Sequence, residues 1–295
     1  MKSGFVSIVG RPNVGKSTLL NSLIERKLAI TSNVSGTTRN IIQGIYNDED
    51  SQIVFIDTPG IHKPVNKLGA YMNEKAYTMI EDVDVLLFLI DVTKPFGKGD
   101  QFILNKIKAL NKPVLLILNK VDSIDKKEIL KVIDQYKNLH NFNEIIPISA
   151  LKNDNIEDLI STIKKYLKDN IKYYDEEEVT NVSKEFLIAE IVREKLLRLT
   201  TDEVPHTITC VVETYEEFKK YIEIGVLIIV DRENLKKIII GKNGSMLKKV
   251  GTYARIDIEE LLGKKVNLKT YVKTIDNWRE KEKYLNELGL NELNS

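Results

Sequence analysis

Residues 10–17 read GRPNVGKS, and this stretch decides the fold of the first half of the chain. It follows the apolar run Phe5 to Val9, which predicts a strand, and it opens a helical pattern from Ser17 to Ile24. A glycine-rich loop in that context matches a P-loop, whose backbone N–H groups surround nucleotide phosphates. Lys16 is expected to reach the β- and γ-phosphates, and Ser17 to bind Mg²⁺.

Short apolar runs alternate with helical patterns through the first 170 residues. Runs without period-two alternation suit strands covered on both faces, so we expect an α/β domain with a mostly parallel sheet. The predicted strands are Phe5 to Val9, Ile53 to Ile56, Val85 to Ile90, Val114 to Leu118 and Ile145 to Ile148. The predicted helices are Ser17 to Ile24, Gln101 to Leu110, Lys126 to Leu139 and Asn155 to Leu167. Ligands of such sheets bind outside the carboxyl ends of the strands.

The tetrapeptide DTPG at 57–60 comes directly after a predicted strand. Asp57 is expected to hold Mg²⁺ through a water, and the Gly60 amide to face the γ-phosphate, so that phosphate loss releases the loop. Ile61 occupies the position where many switch GTPases carry the glutamine that orients the attacking water. Hydrolysis is therefore expected to be slow, relying on backbone groups, a monovalent cation or a partner.

The nucleotide base is predicted from two further motifs, NKVD at 119–122 and SAL at 149–151. The Asp122 carboxylate can accept two N–H groups from the edge of guanine, where adenine would present an acceptor. The Ala150 amide can contact the guanine oxygen. The motifs therefore select GTP over ATP.

A polar stretch at 35–39 (SGTTR) lies between the two phosphate motifs and is typical of a mobile switch. A threonine of this stretch is expected to bind Mg²⁺ when the γ-phosphate is present. We favour Thr38, with Thr37 as the alternative.

Four other side chains near the phosphates need an interpretation. Asn13, inside the P-loop, is the candidate ligand of a K⁺ ion. An arginine-finger role for Arg11 or Arg39 has no support in the sequence, and His62 is interpreted as a solvated loop residue.

The predicted residues of the nucleotide site form three sets. The catalytic residues are Lys16, Thr38 and Gly60, and the metal ligands are Ser17, Thr38 and Asp57 for Mg²⁺ and Asn13 for K⁺. The predicted GTP-binding residues are Gly10, Arg11, Pro12, Asn13, Val14, Gly15, Lys16, Ser17, Thr18, Asp57, Thr58, Pro59, Gly60, Ile61, Asn119, Lys120, Val121, Asp122, Ser149, Ala150 and Leu151.

The second half of the chain predicts a smaller α+β domain. We assign 1–170 to the nucleotide-binding domain, 171–183 to a polar linker, 184–277 to the second domain and 278–295 to a C-terminal helix and tail. The predicted elements are a helix over 183–199, strands over 206–213, 225–231, 238–240 and 265–271, and a helix over 245–262. Between Arg232 and Lys273 the sequence has eleven basic residues against four acidic ones, although the net charge of the whole chain is only +1.

A Gly-x-x-Gly loop at Gly241 to Gly244 lies inside this basic segment. Two glycines allow close approach to a nucleic-acid backbone, Lys242 can neutralise a phosphate, and an apolar groove beside the loop can take unstacked bases. The predicted RNA-binding residues are Ile240, Gly241, Lys242, Asn243, Gly244, Lys248 and Lys249.

Composition argues against several classes of protein. A hydrophobic share of 42% and a charged share of 29% are typical of globular chains, which argues against disorder and fibrous folds. With Cys210 as the single cysteine, an internal disulfide and a multi-cysteine zinc site are excluded, and a buried, inert thiol is expected. We expect no export signal, and the apolar runs are too short to span a bilayer.

Both halves together resemble the Era family of bacterial GTPases. The resemblance rests on residues 10–17, 36–39 (GTTR), 57–62 (DTPGIH), 119–122 and 240–244 (IGKNG), with weaker support from 193–196 (REKL) and 203–206 (EVPH). It implies a Ras-like GTPase domain followed by a type 2 KH domain. It also implies binding to the 3′ end of 16S ribosomal RNA, a role in maturation of the 30S subunit, and peripheral membrane contact. We further expect a monomer with a cytoplasmic location.

Two other functions stay open at this point. The protein could be a signalling GTPase whose second domain docks a protein partner, or an RNA-modifying enzyme with a GTPase module. The latter ranks last, because no catalytic cysteine, paired acid or cofactor motif lies outside the GTPase half.

Overall fold

This computed structural model describes residues 1–34, 36–61, 64–202 and 204–290. The predictions that involve Ser35, His62, Glu203 and the tail 291–295 lie outside the described residues. Within the described ranges, no helix is both long and apolar enough to cross a membrane.

The first half forms a six-stranded sheet with helices on both faces, as the apolar runs predict. Its strands are β1 (Lys2–Val9), β2 (Ile42–Asn47), β3 (Ser51–Asp57), β4 (Val85–Asp91), β5 (Val114–Asn119) and β6 (Glu144–Ile148). Their order is β2-β3-β1-β4-β5-β6, and every pair is parallel except β2 with β3. Every residue of β3, β4 and β5 is buried, which is why their sequences lack alternation.

Five helices accompany this sheet. They are α1 (Lys16–Ile24), α2 (Lys67–Glu81), α3 (Lys98–Ile107), α4 (Lys126–Lys137) and α5 (Ile156–Lys164). Each predicted strand and helix of this half is confirmed, with shifted ends, whereas β2 and α2 were not predicted. β2 was missed because it is a short strand at the edge of the sheet. α2 was missed because the sequence has no clear helical periodicity where the helix begins.

The second half contains a three-stranded sheet of β7 (Thr209–Glu217), β8 (Tyr221–Val230) and β9 (Lys265–Thr274), in that order. β7 and β8 are antiparallel, whereas β8 and β9 are parallel. A parallel pair needs a long crossover, which here consists of two helices. The helices of this half are α6 (Lys184–Leu199), α7 (Val204–Thr207), α8 (Glu233–Ile240), α9 (Ser245–Leu262) and α10 (Glu282–Glu287).

Two predicted strands of this half were wrong in part or in full. The run of isoleucines at 238–240 forms the last turn of α8 instead of a strand. Only Ile239 is fully buried, whereas Ile238 is about half exposed. The strand predicted from His206 begins at Thr209, because the residues after Glu203 form the short helix α7. Pro205 suits the first turn of a helix, where its missing N–H is not needed.

The predicted linker 171–183 runs along the free edge of β2. The Ile45 N–H donates to the Val179 carbonyl at 3.0 Å, and the Thr180 hydroxyl donates to the Gln43 carbonyl at 2.7 Å. This segment therefore covers an edge that would otherwise expose unpaired backbone groups.

The two halves also share an apolar cluster. Leu68 and Met72 of α2 pack with Ile229 of β8, with Trp278 and with Leu285 of α10. The Trp278 indole is fully buried and donates to the Thr207 carbonyl at 2.8 Å. The C-terminal segment thus joins the second sheet to the first half.

Candidate functional site

The loop at 10–15 has the shape that its glycines allow. It leaves β1 at Val9 and enters α1 at Lys16, with Gly15 in a left-handed conformation at φ 104°. A β-carbon at Gly10 would lie 2.5 Å from the Leu89 carbonyl oxygen, so only glycine fits there. The N-terminus of α1 and its free N–H groups therefore face the carboxyl edge of the sheet.

Lys16 lies across this loop. Its ammonium donates to the Gly10 carbonyl at 3.2 Å and to the Arg11 carbonyl at 3.0 Å. Burial lowers the pKa of Lys16 to about 8, although the charge of Asp57 opposes the shift. A buried cation held only by carbonyls is suited to an anionic ligand such as phosphate.

Three oxygen-bearing side chains from separate segments meet beside Lys16. The Ser17 hydroxyl donates to Asp57 Oδ2 at 2.6 Å and lies 2.8 Å from Thr38 Oγ1. Thr38 Oγ1 is 3.5 Å from the same carboxylate oxygen. These are hard oxygen donors, which Mg²⁺ prefers.

The second oxygen of Asp57 supports a cation at this point. Asp57 is fully buried, and its Oδ1 atom has no hydrogen-bond partner among the described residues. Burial raises the pKa of Asp57 to about 6, against the opposing charge of Lys16 and the hydrogen bonds of Ser17 and Thr38. A divalent cation would compensate the buried carboxylate, so the donor set fits Mg²⁺.

The structure separates the two candidate threonines. The Thr37 hydroxyl donates to the Val34 carbonyl at 2.6 Å and contacts Ser32, whereas Thr38 lies with Ser17 and Asp57. Thr37 therefore shapes the loop, and Thr38 is the one positioned as a ligand.

Gly60 and Ile61 differ sharply in their surroundings. A β-carbon at Gly60 would lie 2.9 Å from Pro12 Cα, so the segment after β3 touches the P-loop. The Ile61 side chain is only 3% exposed and packs in the apolar cluster that contains Ile56 and Ala76. It cannot orient a water, which agrees with the expectation of slow hydrolysis.

The base-binding motifs are fixed by their own hydrogen bonds. Asn119 donates to the Val14 carbonyl at 2.9 Å and accepts the Ala150 N–H at 3.0 Å, joining the P-loop to the SAL motif. Asp122 accepts a hydrogen bond from the Ser149 hydroxyl at 2.6 Å. Leu151 is 74% exposed at the rim of the cavity.

Asp91 was not predicted as a site residue. It ends β4, accepts from the Lys120 ammonium at 2.6 Å, and thereby orients that lysine, which also donates to the Asn13 carbonyl at 2.9 Å. The feature of the sequence that could have identified Asp91 is its position at the carboxyl end of a buried strand.

The other predicted phosphate neighbours have definite partners. Arg11 forms an ion pair with the buried Asp100 at 2.8 Å, and Arg39 donates to the Ile208 carbonyl at 2.6 Å. Both guanidinium groups are thus held away from an arginine-finger position. The Asn13 side chain donates to the Asn33 carbonyl at 2.8 Å, and its role toward K⁺ stays a prediction.

These motifs enclose one cavity of about 570 Å³. Its lining includes Lys16, Thr38, Asn119 and Asp122, together with Arg198 from α6 in the second half. Arg198 was missed by the sequence analysis, since nothing in its local pattern marks a nucleotide contact.

The Gly-x-x-Gly loop connects two helices, not a strand and a helix. Gly241 and Gly244 have φ of 72° and 75°, and Asn243 between them is also left-handed at 52°. A β-carbon at Gly241 would lie 2.8 Å from Met246 Cβ, so the first glycine is required by both its φ and its close contact. Lys242 and Asn243 are exposed at the tip.

A groove of about 350 Å³ lies between α9 and β9 next to this loop. Leu247 and Leu268 line it together with Lys248 and Arg255. Lys248 and Lys249 are exposed on the first turns of α9, whereas Ile240 is only half-buried at the end of α8. The groove thus combines an apolar floor with a basic rim.

Comparisons with known proteins match both halves of the chain. A family model described as "50S ribosome-binding GTPase" matches residues 5–120, and one described as "KH domain" matches residues 203–279. A crystal structure of a variant of Aquifex aeolicus Era bound to GDP and AlF4⁻ is 44% identical to this chain. The match covers 99% of this chain and 100% of the Aquifex aeolicus Era chain, with a TM-score of 0.96.

The chain belongs to the Era family. The predicted fold class, a P-loop GTPase domain followed by a KH domain, is confirmed, and so is the predicted activity: this Era-family protein is a GTPase. A second structure, of Era in complex with MgGDPNP and nucleotides 1506–1542 of 16S ribosomal RNA, has the same identity, coverage and TM-score.

Proposed function

We propose that this protein is a GTP-driven switch that binds the 3′ region of 16S ribosomal RNA and assists maturation of the 30S subunit. One observation carries the proposal. The Era structure that contains MgGDPNP and an RNA fragment is that of a chain 44% identical to this one, and the match covers 99% of this chain.

In the nucleotide half of the proposal, the polar groups around the cavity have separate tasks. Lys16 neutralises the β- and γ-phosphates, while the N–H groups at the start of α1 bind their oxygens. Ser17, Thr38 and Asp57 would hold Mg²⁺, which neutralises charge on the transferred phosphoryl group. Asp122 binds the guanine edge, and Asn119 keeps the base pocket attached to the P-loop.

Hydrolysis by this site is proposed to be slow in the isolated protein. The position after Gly60 offers only the buried Ile61 side chain, so no described side chain there can orient water. Backbone groups, a K⁺ ion near Asn13 or a bound partner would supply the missing stabilisation of the transition state.

The RNA half rests on the loop and groove of the KH domain. Gly241 and Gly244 let an RNA backbone approach, Lys242 pairs with a phosphate, and the groove along α9 takes unstacked bases. The apolar side chains of the groove are Leu247 and Leu268, and its lining among the described residues includes no aromatic residue, so base recognition would use aliphatic contacts and hydrogen bonds more than stacking.

A ribosomal RNA partner also supports a cytoplasmic location for the protein. The peripheral membrane contact implied by the family resemblance stays a prediction, and so does the monomeric state. So do the domain boundaries at 170, 183 and 277.

Affinity purification of the full chain tests this proposal most simply. We expect 16S RNA or 30S particles to accompany the protein, and Lys242→Ala to reduce their recovery while nucleotide binding is retained. Recovery of a protein partner without RNA would contradict the proposal and favour a signalling GTPase.

A further inference from the structure

Helix α6 of the second half packs against residues 27–34 and 36–39, which we call the switch loop. This loop leaves α1, carries Thr38 and leads toward β2. Two consecutive residues of α6, Arg193 and Glu194, are 1% and 0% exposed. Charged side chains are rarely buried so completely unless they are paired, and the roles assigned above use neither of them.

Arg193 contacts the switch loop immediately before Thr38. Its Nη2 atom donates to the Thr37 carbonyl, which belongs to the peptide group that joins Thr37 to Thr38. Glu190 orients the guanidinium by accepting from Nε at 2.6 Å and from Nη2 at 2.5 Å. Because Glu190 holds the Nε–Nη2 edge of the guanidinium, the Nη2 donor that binds the Thr37 carbonyl is held in place as well.

Glu194 holds the beginning of the same loop. Its Oε1 atom accepts the Thr31 N–H at 3.1 Å, and its Oε2 atom accepts from Lys27 at 2.7 Å. Burial opposes ionisation, but the bonds from Lys27 and Thr31 keep the pKa of Glu194 below its ordinary value. Glu194 also accepts from Arg198 at 3.0 Å, which places that arginine against Thr31 and the nucleotide cavity.

The same charge cluster continues to the RNA-binding helix. Asp257 of α9 accepts from Lys27 at 2.7 Å and also pairs with Lys195. The first turns of α9 carry Lys248 and Lys249. Contacts therefore run without a gap from the switch loop through α6 to α9.

We propose that α6 of the second half completes the GTP site, with Arg193 and Glu194 acting as positioning residues that hold the switch loop where Thr38 can bind Mg²⁺. Arg193 fixes the peptide before Thr38, and Glu194 fixes the loop at Thr31. This inference deepens the proposed switch and rests on its nucleotide half.

The test compares two nucleotides on full-length variants. GDP binding uses the P-loop and the base pocket, whereas a GTP analogue with Mg²⁺ also needs the switch loop. The full chain would carry Arg193→Lys, which keeps the charge next to Glu190 but loses the planar fork, or Glu194→Gln. Glu259→Gln serves as the matched control, because Glu259 on α9 pairs with Arg255 and accepts the Val266 N–H but has no bond to the switch loop.

The affinities for MgGDPNP and for GDP are measured by titration calorimetry, with single-turnover GTP hydrolysis as a second readout. Loss of one buried charge-assisted hydrogen bond is expected to lower the ratio of MgGDPNP to GDP affinity about 10-fold or more. The GDP affinity should stay near that of the parent chain, which also shows that the variant is folded, and the Glu259→Gln ratio should be unchanged.

An unchanged ratio in both variants would overturn the inference, whether the two affinities are retained or fall together. The affinity of the parent chain for the 16S 3′ segment, measured in parallel, tests the proposed RNA function separately. The role of α6 and the proposed RNA binding can therefore be contradicted independently of each other.

Discussion

The hydroxyl oxygens of Ser17 and Thr38 lie 2.8 Å apart, although the residues are separated by 21 positions and belong to a helix and a loop. The buried carboxylate of Asp57 completes the group from the end of β3. We therefore expect the loop after α1 to respond to the nucleotide, because Thr38 lies in that loop whereas Ser17 lies on a helix and Asp57 at the end of a strand.

Replacement of Thr38 by alanine should impair the response to the γ-phosphate. One hard oxygen ligand is lost, so we expect GTP hydrolysis to slow at least about 10-fold, with little change in GDP affinity. Thr38→Ser should restore most of the rate. Thr37→Ala is the control, since its hydroxyl bonds within the loop; a larger loss of hydrolysis in that variant would assign the ligand role to Thr37.

Replacement of Asp122 by asparagine should change the base that is recognised. The amide presents a donor where guanine also presents donors, so GTP affinity should fall roughly 10- to 100-fold. Xanthosine triphosphate, which offers a carbonyl at that edge, should gain affinity. Competition between the two nucleotides measures the change, and equal loss for both would mean that Asp122 acts only through Ser149.

Replacement of Ile61 by glutamine should not produce a faster enzyme. The side chain would enter an apolar cluster, where an amide without partners costs about 1 to 3 kcal/mol. We therefore expect a lower melting temperature and no increase in kcat, with Ile61→Leu close to the parent chain. Accelerated hydrolysis in the glutamine variant would show that this position can reach the attacking water.

Replacement of Lys242 by alanine should weaken RNA binding in a salt-dependent way. If Lys242 neutralises one phosphate, the slope of log affinity against log salt should become shallower by about 0.7. Lys127→Ala, an exposed lysine on α4, is the control and should leave the slope unchanged. An unaltered slope for Lys242→Ala would remove the loop from the RNA site.

The single thiol should be inert in the folded protein. Cys210 is half-buried, not fully buried as the sequence predicts. Burial still raises the pKa of its thiol strongly, although Arg193 opposes the shift, and Glu190 adds to it. At pH 8 the thiolate fraction is therefore far below that of an ordinary cysteine, and it would rise only as the pH approached the raised pKa. Labelling with a thiol reagent should be at least about 10-fold slower in native than in denatured protein; equal rates would contradict the assigned surroundings of Cys210.

The nucleotide site was predictable from the sequence because its motifs are short, local and ordered along one sheet edge. The strand ends place Asp57, Asn119 and Ser149 together without knowledge of any side-chain contact. The strand predicted from the three consecutive isoleucines at 238–240 was wrong, because a short apolar run fits a strand as well as a buried helix turn.

Contacts between the two halves could not be predicted in the same way. Arg193 and Thr37 are 156 positions apart, and neither motif nor periodicity pairs them. The same holds for Arg198, which reaches the nucleotide cavity only because α6 packs on the switch loop. Such pairings depend on the docking of two folded units, which a pattern in one segment does not encode.

We propose that the nucleotide state governs RNA binding. A comparison of RNA affinity in two nucleotide states tests this proposal directly. The full chain is titrated with the 3′ segment of 16S RNA in the presence of MgGDPNP and, separately, of GDP at the same salt concentration. We expect tighter RNA binding with MgGDPNP and, by reciprocity, tighter MgGDPNP binding with RNA. Equal RNA affinities in the two nucleotide states would contradict it.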